Sequence, residues 1–413
     1  AATFGTLAML AAVAVGAGED RAIEVTRLTE TLYLLSTDQG SYTTNTIASV
    51  GADGVLLVDT QATTEAEALK NVVVGFGKGA PRIIINTHRH VEHVGGNAIF
   101  GDVPLIIAHD LVRTKLRSGS YLFEEFPEAT LPDITLTDSM SVYFNGERIE
   151  LIAMPGSHDD NEVIVHFTES KVVHLSSLAN GFNFPSVDAD GDVLKFEELV
   201  ARAMEILPED VVIVSGHNRT GTWQDLKAYR EMLVATTGIV RDGLASGKDA
   251  AALQGEGALD AWQEYAGSYV SVDGWIDALA AGLEADGGDD RKNVFEPLYH
   301  AWKEGGAEAA IALFAELKSF HADEYLVRDV DFMIIGNKLV DQEKYYPAIL
   351  FLESCLEQYP DSPYAYYANY NLARAHRGLG DRETAIRYCD RALELSPDNG
   401  VLVELRRELE EGE

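Results

Sequence analysis

Three apolar runs of this chain stop at histidines. PRIIIN (81–86) runs straight into THRHVEHVGGN, RIELIAM (148–154) into PGSHDDNE, and DVVIVSGH (210–217) closes on His217. Short, continuously apolar runs of this kind read as strands, and PRIIIN as one covered on both faces. Each histidine group therefore follows the carboxyl end of a strand, where α/β architectures build their sites. This constrains the fold strongly. Strands from distant parts of the sequence must finish on the same side of the molecule if their histidines share one task.

The remaining pattern supplies the scaffold. IEVTRL, LYLLS, TIASV and GVLLVD are short strands between about residues 23 and 60, and TTEAEALKNVVVGFG reads as a helix with Thr at its N-cap and Gly at its end. PLIIAH, MSVYF, EVIVHF and KVVHLS add strands; KFEELVARAMEIL and TWQDLKAYREMLVATTGIVRDGLASG add helices. Strands in runs with helices between them predict an α/β domain over residues 23–280, with two mixed sheets covered by outer helices. At 413 residues and 46 % hydrophobic content, two or three domains are expected.

Composition changes at ALAAGLEADGGDDRKN (278–293), and a linker is placed at 281–293. Residues 294–413 read as all helical, with an internal repeat. NLARAHRGLGDRETAIRYCDRALELSP (371–397) aligns with IGNKLVDQEKYYPAILFLESCLEQYP (335–360), and 298–320 is a weaker third copy. These segments resemble tetratricopeptide repeats, whose small residues let paired helices pack closely. Such a region serves either as a stabilising cap or as a docking surface for a protein partner.

Charge narrows the partners. Lys+Arg number 32 against Asp+Glu 67, a net charge of −35, which repels nucleic acid and anionic lipid headgroups. Cys355 and Cys389 are too few for a disulfide framework and fall where a helical repeat buries them. The start, through Val15-Gly16-Ala17, resembles the end of a signal peptide, so residues 1–17 are expected to be its remnant and the protein to be secreted or periplasmic. No stretch is long and apolar enough for a membrane helix.

His88 and His90, two apart on an extended segment, can face one side, and His158 completes a tripod suited to zinc. Glu92 and His93 lie on the same loop as the first pair, with His217 as their partner. The other six histidines, His109, His166, His174, His300, His321 and His376, read as structural.

Here the chain resembles the metallo-β-lactamase superfamily. The motif His-x-His-x-Asp-His matches His88, His90, Glu92 and His93, its later histidines match His158 and His217, and its strand-ending Asp matches Asp59. VVHLSSLANGFNFPSVD is similar to the family's Gly-Asp-Leu segment. The resemblance implies an αββα sandwich with two zinc ions, a small-molecule substrate, and hydrolysis of an amide, lactone or (thio)ester carbonyl by metal-bound hydroxide, β-lactamase-like chemistry included. The chain departs from the pattern twice. Glu92 is one methylene longer than Asp, which displaces its carboxylate by about 1.5 Å. Ser177 stands where most members have an Asp bridging both metals. The B3 subclass of β-lactamases also lacks that bridge. By that analogy His88, His90 and His158 hold one metal, and Glu92, His93 and His217 the other, with Glu92 also orienting the nucleophile. Asp59, Ser177 and Asn180 are candidates to support the ligands or touch substrate, and the loop 118–133 is a further candidate for substrate contact. The alternative is a degenerate metallo-hydrolase domain acting as a scaffold, with the repeats doing the binding.

Overall fold

The computed structural model describes residues 22–411 except 41, 102–103, 120–125, 189, 268–269, 286–291, 328, 361, 363–364 and 398. Residues 1–17, part of the loop 118–133 and the middle of the linker 281–293 therefore lie outside the described residues. The chain divides into two compact units, one running to residue 114 and resuming over 127–287, the other made of 115–126 and 288–413.

In the first unit, seven strands form one sheet in chain order: β1 (Ile23–Arg27), β2 (Leu32–Asp38), β3 (Thr43–Gly51), β4 (Gly54–Val58), β5 (Pro81–Ile85), β6 (Leu105–His109) and β7 (Ile134–Leu136). The first four are antiparallel, and β4 to β7 are parallel. A second mixed sheet holds β8 (Ser139–Phe144), β9 (Glu147–Ala153), β10 (Val163–Phe167), β11 (Val172–His174), β12 (Val212–Val214) and β13 (Gly221–Thr222), in the order β13-β12-β11-β10-β9-β8. The helices are α1 (Ala66–Gly75), α2 (Val91–Val94), α4 (Lys195–Ile206), α5 (Trp223–Ala245), α6 (Ala250–Gly255) and α7 (Val272–Ala285), and α3 (Asp110–Ser118) starts in this unit and ends in the other.

The pleat explains why the strands read as unbroken apolar runs. Val58, Ile85 and Ile107 face the second sheet and pack with Leu151, Val165 and Val214. Their neighbours Leu57, Ile84 and Ile106 face the other way, onto Leu69 and Val73 of α1. On the far side, Ile164, Val173 and Ile213 pack against Phe196 of α4, Leu226 and Tyr229 of α5, and Trp275 of α7. Both faces of both sheets are covered, giving four layers, αββα. Each fully buried Val, Leu or Ile contributes about 1.5–3 kcal/mol.

Helix starts differ from the sequence expectation in one place. Thr63–Glu65 form a turn of 3₁₀ helix, and α1 begins at Ala66 with no side-chain cap, so Thr63 is not its N-cap. In contrast, α5 is fixed by a capping box between Thr222 and Asp225.

The second unit is helical: α8 (Phe295–Phe320), α9 (Asp329–Asp341), α10 (Tyr345–Gln358), α11 (Ala365–Gly378), α12 (Arg382–Leu395) and α13 (Gly400–Glu411). Its one departure among the described residues is a two-residue parallel pair, Lys292–Asn293 with Tyr325–Leu326. A Cβ on Gly336 would lie 2.5 Å from Leu352, so that glycine sets the close approach of α9 and α10. Cys355 and Cys389 are buried within the helical packing. The weak first repeat copy falls on α8, which breaks at Gly306, where φ is +75°.

Candidate active site

Five strand ends of the first unit deliver the site. Asp59 follows β4, the loop 86–97 follows β5, His158 lies between β9 and β10, Ser176 and Ser177 follow β11, and His217 follows β12. The sheets are stitched together here. Asn45 on β3 reaches the loop after β12: its backbone N–H donates to Gly216 O at 2.9 Å, and its side-chain amide donates to Ser215 O at 2.9 Å and Asn218 O at 2.8 Å. Local conformation is also exacting. Asp59 and Gln61 are both left-handed, at φ +67° and +64°. A Cβ at Gly96 would stand 2.0 Å from the Thr60 carbonyl oxygen, so only glycine lets the His93 segment lie against Thr60, whose N–H donates to His93 O at 2.9 Å.

The six expected ligand residues gather in two sets, His88, His90 and His158, and Glu92, His93 and His217, with the ligand atoms of each set within 4.8 Å of one another. Every imidazole uses one nitrogen outward. His90 Nε2 meets Asp188 Oδ2 at 2.7 Å, and His93 Nδ1 meets Asp59 Oδ2 at 2.7 Å. His158 Nδ1 meets Ser186 O at 2.9 Å, and His217 Nδ1 meets Thr43 O at 3.3 Å. His88 Nδ1 faces the hydroxyls of Thr87 at 3.1 Å and Ser176 at 3.3 Å.

The outer acceptors fix the tautomers. A carbonyl or carboxylate oxygen accepts, so the outer nitrogen carries the proton and the inner one is bare in a neutral ring. His90 Nδ1 and His158 Nε2 then face each other at 3.2 Å, and so do His93 Nε2 and His217 Nε2 at 3.2 Å. Two bare nitrogens that close repel unless a cation, a proton or a metal ion, lies between them. His88 Nε2 is buried without a hydrogen-bond partner. Imidazoles held from behind in this way are suited to a metal. The residues fit zinc.

Burial dominates the electrostatics. It drives His88 well below the ordinary imidazole range, with the neighbouring imidazoles adding to the effect. It brings His217 to about 3, and His90 to about 4 despite the Asp188 carboxylate. Burial also lowers His93, but the Asp59 carboxylate outweighs it and the net shift is upward. Burial raises Glu92, yet the charges of His90, His93 and His217 overcome it, so the carboxyl stays ionised to about pH 2.

The other expected residues are placed differently. Asp59 holds both Thr87, at 2.7 and 2.8 Å, and His93. Ser177 is buried with its hydroxyl unpartnered, while its N–H donates to Glu162 Oε1 at 3.1 Å. Asn180 is a buried left-handed residue that makes no hydrogen bond to the imidazoles, and its side-chain oxygen has no partner.

Three residues went unnoticed in the sequence. Arg89, fully buried, is ringed by Asp159 at 2.5 Å, Asp188 at 3.0 Å, Asp190 at 3.1 Å and Asp160 at 3.4 Å. Asp188 joins that ring to His90. Glu162, raised by burial, accepts from the hydroxyls of Ser157, at 3.0 Å, and Ser176. The available signals were a cation inside the histidine motif and a carboxyl heading the apolar strand β10.

The profile of the metallo-beta-lactamase superfamily matches residues 41–217, and a tetratricopeptide repeat profile matches 366–399. Residues 41–217 are a metallo-beta-lactamase superfamily domain. An N-acyl homoserine lactonase of Bacillus cereus is 22 % identical over 206 residues, 45 % of this chain and 80 % of the relative. A hydroxyacylglutathione hydrolase of Mesorhizobium japonicum is 28 % identical over 142 residues, 34 % of this chain and 49 % of the relative, so the chain spans about half of that protein. A solved metallo-beta-lactamase from Pontibacter korlensis is 19 % identical, with 51 % of this chain and 98 % of that one covered and a TM-score of 0.45. The metallo-beta-lactamase domain thus has relatives named as hydrolases. Among the described residues no helix is long and apolar enough to cross a membrane.

Proposed function

We propose that the metallo-beta-lactamase domain is a zinc-dependent hydrolase of a small ester, thioester, lactone or amide. The observation that carries this reading is the arrangement of the five imidazoles, each held by an outer partner with its bare nitrogen turned into one of two sets. His88, His90 and His158 hold the first ion, and Glu92, His93 and His217 the second. When bound, zinc acidifies water towards neutral pH and polarises an acyl carbonyl. The chain supplies the aim. Asp59, Asp188, Ser186 and Thr43 accept from the outer nitrogens, and burial keeps His88, His90 and His217 neutral at neutral pH. The reaction adds water across the acyl bond, giving the acid and an alcohol, thiol or amine.

The names of the relatives support lactones and thioesters as the first substrates to try. The tetratricopeptide repeat supports a protein-docking role for the second unit. Ser177, without the carboxylate of most superfamily members, favours the rival reading of a scaffold that has lost catalysis. Zinc content and turnover on a panel of lactones, thioesters, esters and lactams separate the two. A zinc-loaded protein that hydrolyses none of them is the scaffold.

A further inference from the structure

Four of the five imidazoles have an outer carbonyl or carboxylate, which can only accept, and that settles which nitrogen carries the proton. His88 is the exception. Its Nδ1 faces two hydroxyls, Thr87 at 3.1 Å and Ser176 at 3.3 Å, and a hydroxyl either donates or accepts. Were one to donate, Nδ1 would be the bare nitrogen and the proton would sit on Nε2, the atom that is buried without a partner. The tripod would then lack a ligand.

Each hydroxyl has one proton, and a carboxylate stands ready to take it. Thr87 donates to Asp59 Oδ2 at 2.8 Å, so its oxygen is left to accept from His88. Ser176 stands likewise between His88 and a second carboxylate, Glu162. That residue directly precedes β10, is fully buried and is not one of the six ligand residues. It collects donors: Ser157 Oγ on Oε2 at 3.0 Å, the Ser177 N–H on Oε1 at 3.1 Å, and the Ser176 hydroxyl. A carboxylate at such depth is costly unless donors surround it. Ser176 is also held left-handed, at φ +54°, a conformation that persists where the surroundings impose it. We propose that Glu162 is a positioning residue that acts on His88 through Ser176: by taking the serine proton it leaves the hydroxyl oxygen to accept from Nδ1, and so keeps Nε2 bare for the first ion.

The role at the metal rests on the metallohydrolase reading; the tautomer does not. In the metal-free full chain, nitrogen-15 NMR should show His88 protonated at Nδ1 alone. Glu162→Gln puts a donor where the serines need an acceptor. Ser176 can then turn its proton to His88, and the ring should become a mixture of tautomers. In chelator competition the tighter zinc should weaken about ten- to hundredfold, the range for losing an outer partner. Ser176→Ala removes the relay without misdirecting it and should cost less than about tenfold. The double variant should therefore bind like Ser176→Ala, and better than Glu162→Gln alone. A Glu162 that only supports the fold predicts losses that add. Melting curves of the metal-free variants identify misfolding. If Glu162→Gln does not fold, Glu162→Asp replaces it in the same cycle, its carboxylate drawn back by about one C–C bond, ~1.5 Å. Additive losses, or a wild-type His88 protonated at Nε2, overturn the relay. A wild type that takes up no zinc overturns the hydrolase reading and leaves the relay to be judged on the ring nitrogens.

Discussion

The two ligand sets differ in what stands behind them. In the first, all three donors are imidazoles, and each is held from outside: His88 by two hydroxyls, His90 by Asp188, His158 by Ser186 O. In the second, His93 is fixed firmly by Asp59, but His217 has a longer bond of 3.3 Å to Thr43 O, and Glu92 is a partly exposed carboxylate on a short helix. A stiff neutral tripod is set beside a looser anionic set. The first should select and retain an ion, and the second should adjust to it.

The comparison breaks most readily at the ligands. His158→Ala should weaken the tighter zinc by more than about a hundredfold, beyond the ten- to hundredfold typical of losing an outer partner. His217→Ala should cost clearly less. Equal losses in chelator competition would show that the sets are not different in kind.

Acid tests the sets together. His90, at about 4, and His217, at about 3, lie below the ordinary 6.5 of an unfolded imidazole. Their stabilisation is complete above that value and is lost as pH falls towards 4 and then 3. His88 shifts the same way, while His93, shifted upward, contributes most below 6.5 and less as pH rises through its folded value. Three downward shifts against one predict that the metal-free protein melts at lower temperature at pH 4.5 than at pH 7. A melting point that holds or rises on acidification would contradict the burial argument. Bound zinc should leave over the same range as its ligands take up protons.

Much of the fold, and the gathering of the histidines, was legible in the sequence because burial restricts residue type and strand ends converge on one edge of the sheets. PRIII, covered on both faces, cannot be much else than a central strand, and His88, His90, His158, Glu92, His93 and His217 were paired into sets from strand ends alone. The supporting residues were not legible. Asp188 is one of several aspartates in a loop with no periodicity, and nothing local says that it reaches a histidine 98 residues away. Arg89 reads as a solvated cation until its four carboxylates are assembled from separate loops. Ser176 gives no hint that it is left-handed, at φ +54°. These roles depend on tertiary position, which spacing does not encode.

Two smaller effects sharpen the comparison. Asp188→Asn should weaken the first zinc by about ten- to hundredfold and Asp59→Asn the second by a similar factor, each measured against its own set. If both substitutions act on the same ion, the assignment of partners is wrong. Ser176→Gly should move two readouts in opposite directions. Relieving a left-handed serine should raise the stability of the metal-free protein by about 1 kcal/mol, while removing one of the two hydroxyls on His88 should weaken the first zinc by less than about tenfold. Thermal unfolding and chelator competition on one preparation read both, and a fall in stability would show that the serine is not strained.

On the proposed metallohydrolase reading, Arg89 has a consequence for how the domain would take up metal. In small zinc-fastened modules the ion is the clasp, and the chain falls apart without it. Here a buried guanidinium already draws together the loops that carry His90, Asp159 and Asp188. An ion can therefore arrive late and depart early while the receptacle stays assembled. Loading becomes an exchange governed by encounter and by deprotonation of the ligands, not by refolding. On that reading the chain would fold in a metal-poor setting and be charged with zinc afterwards.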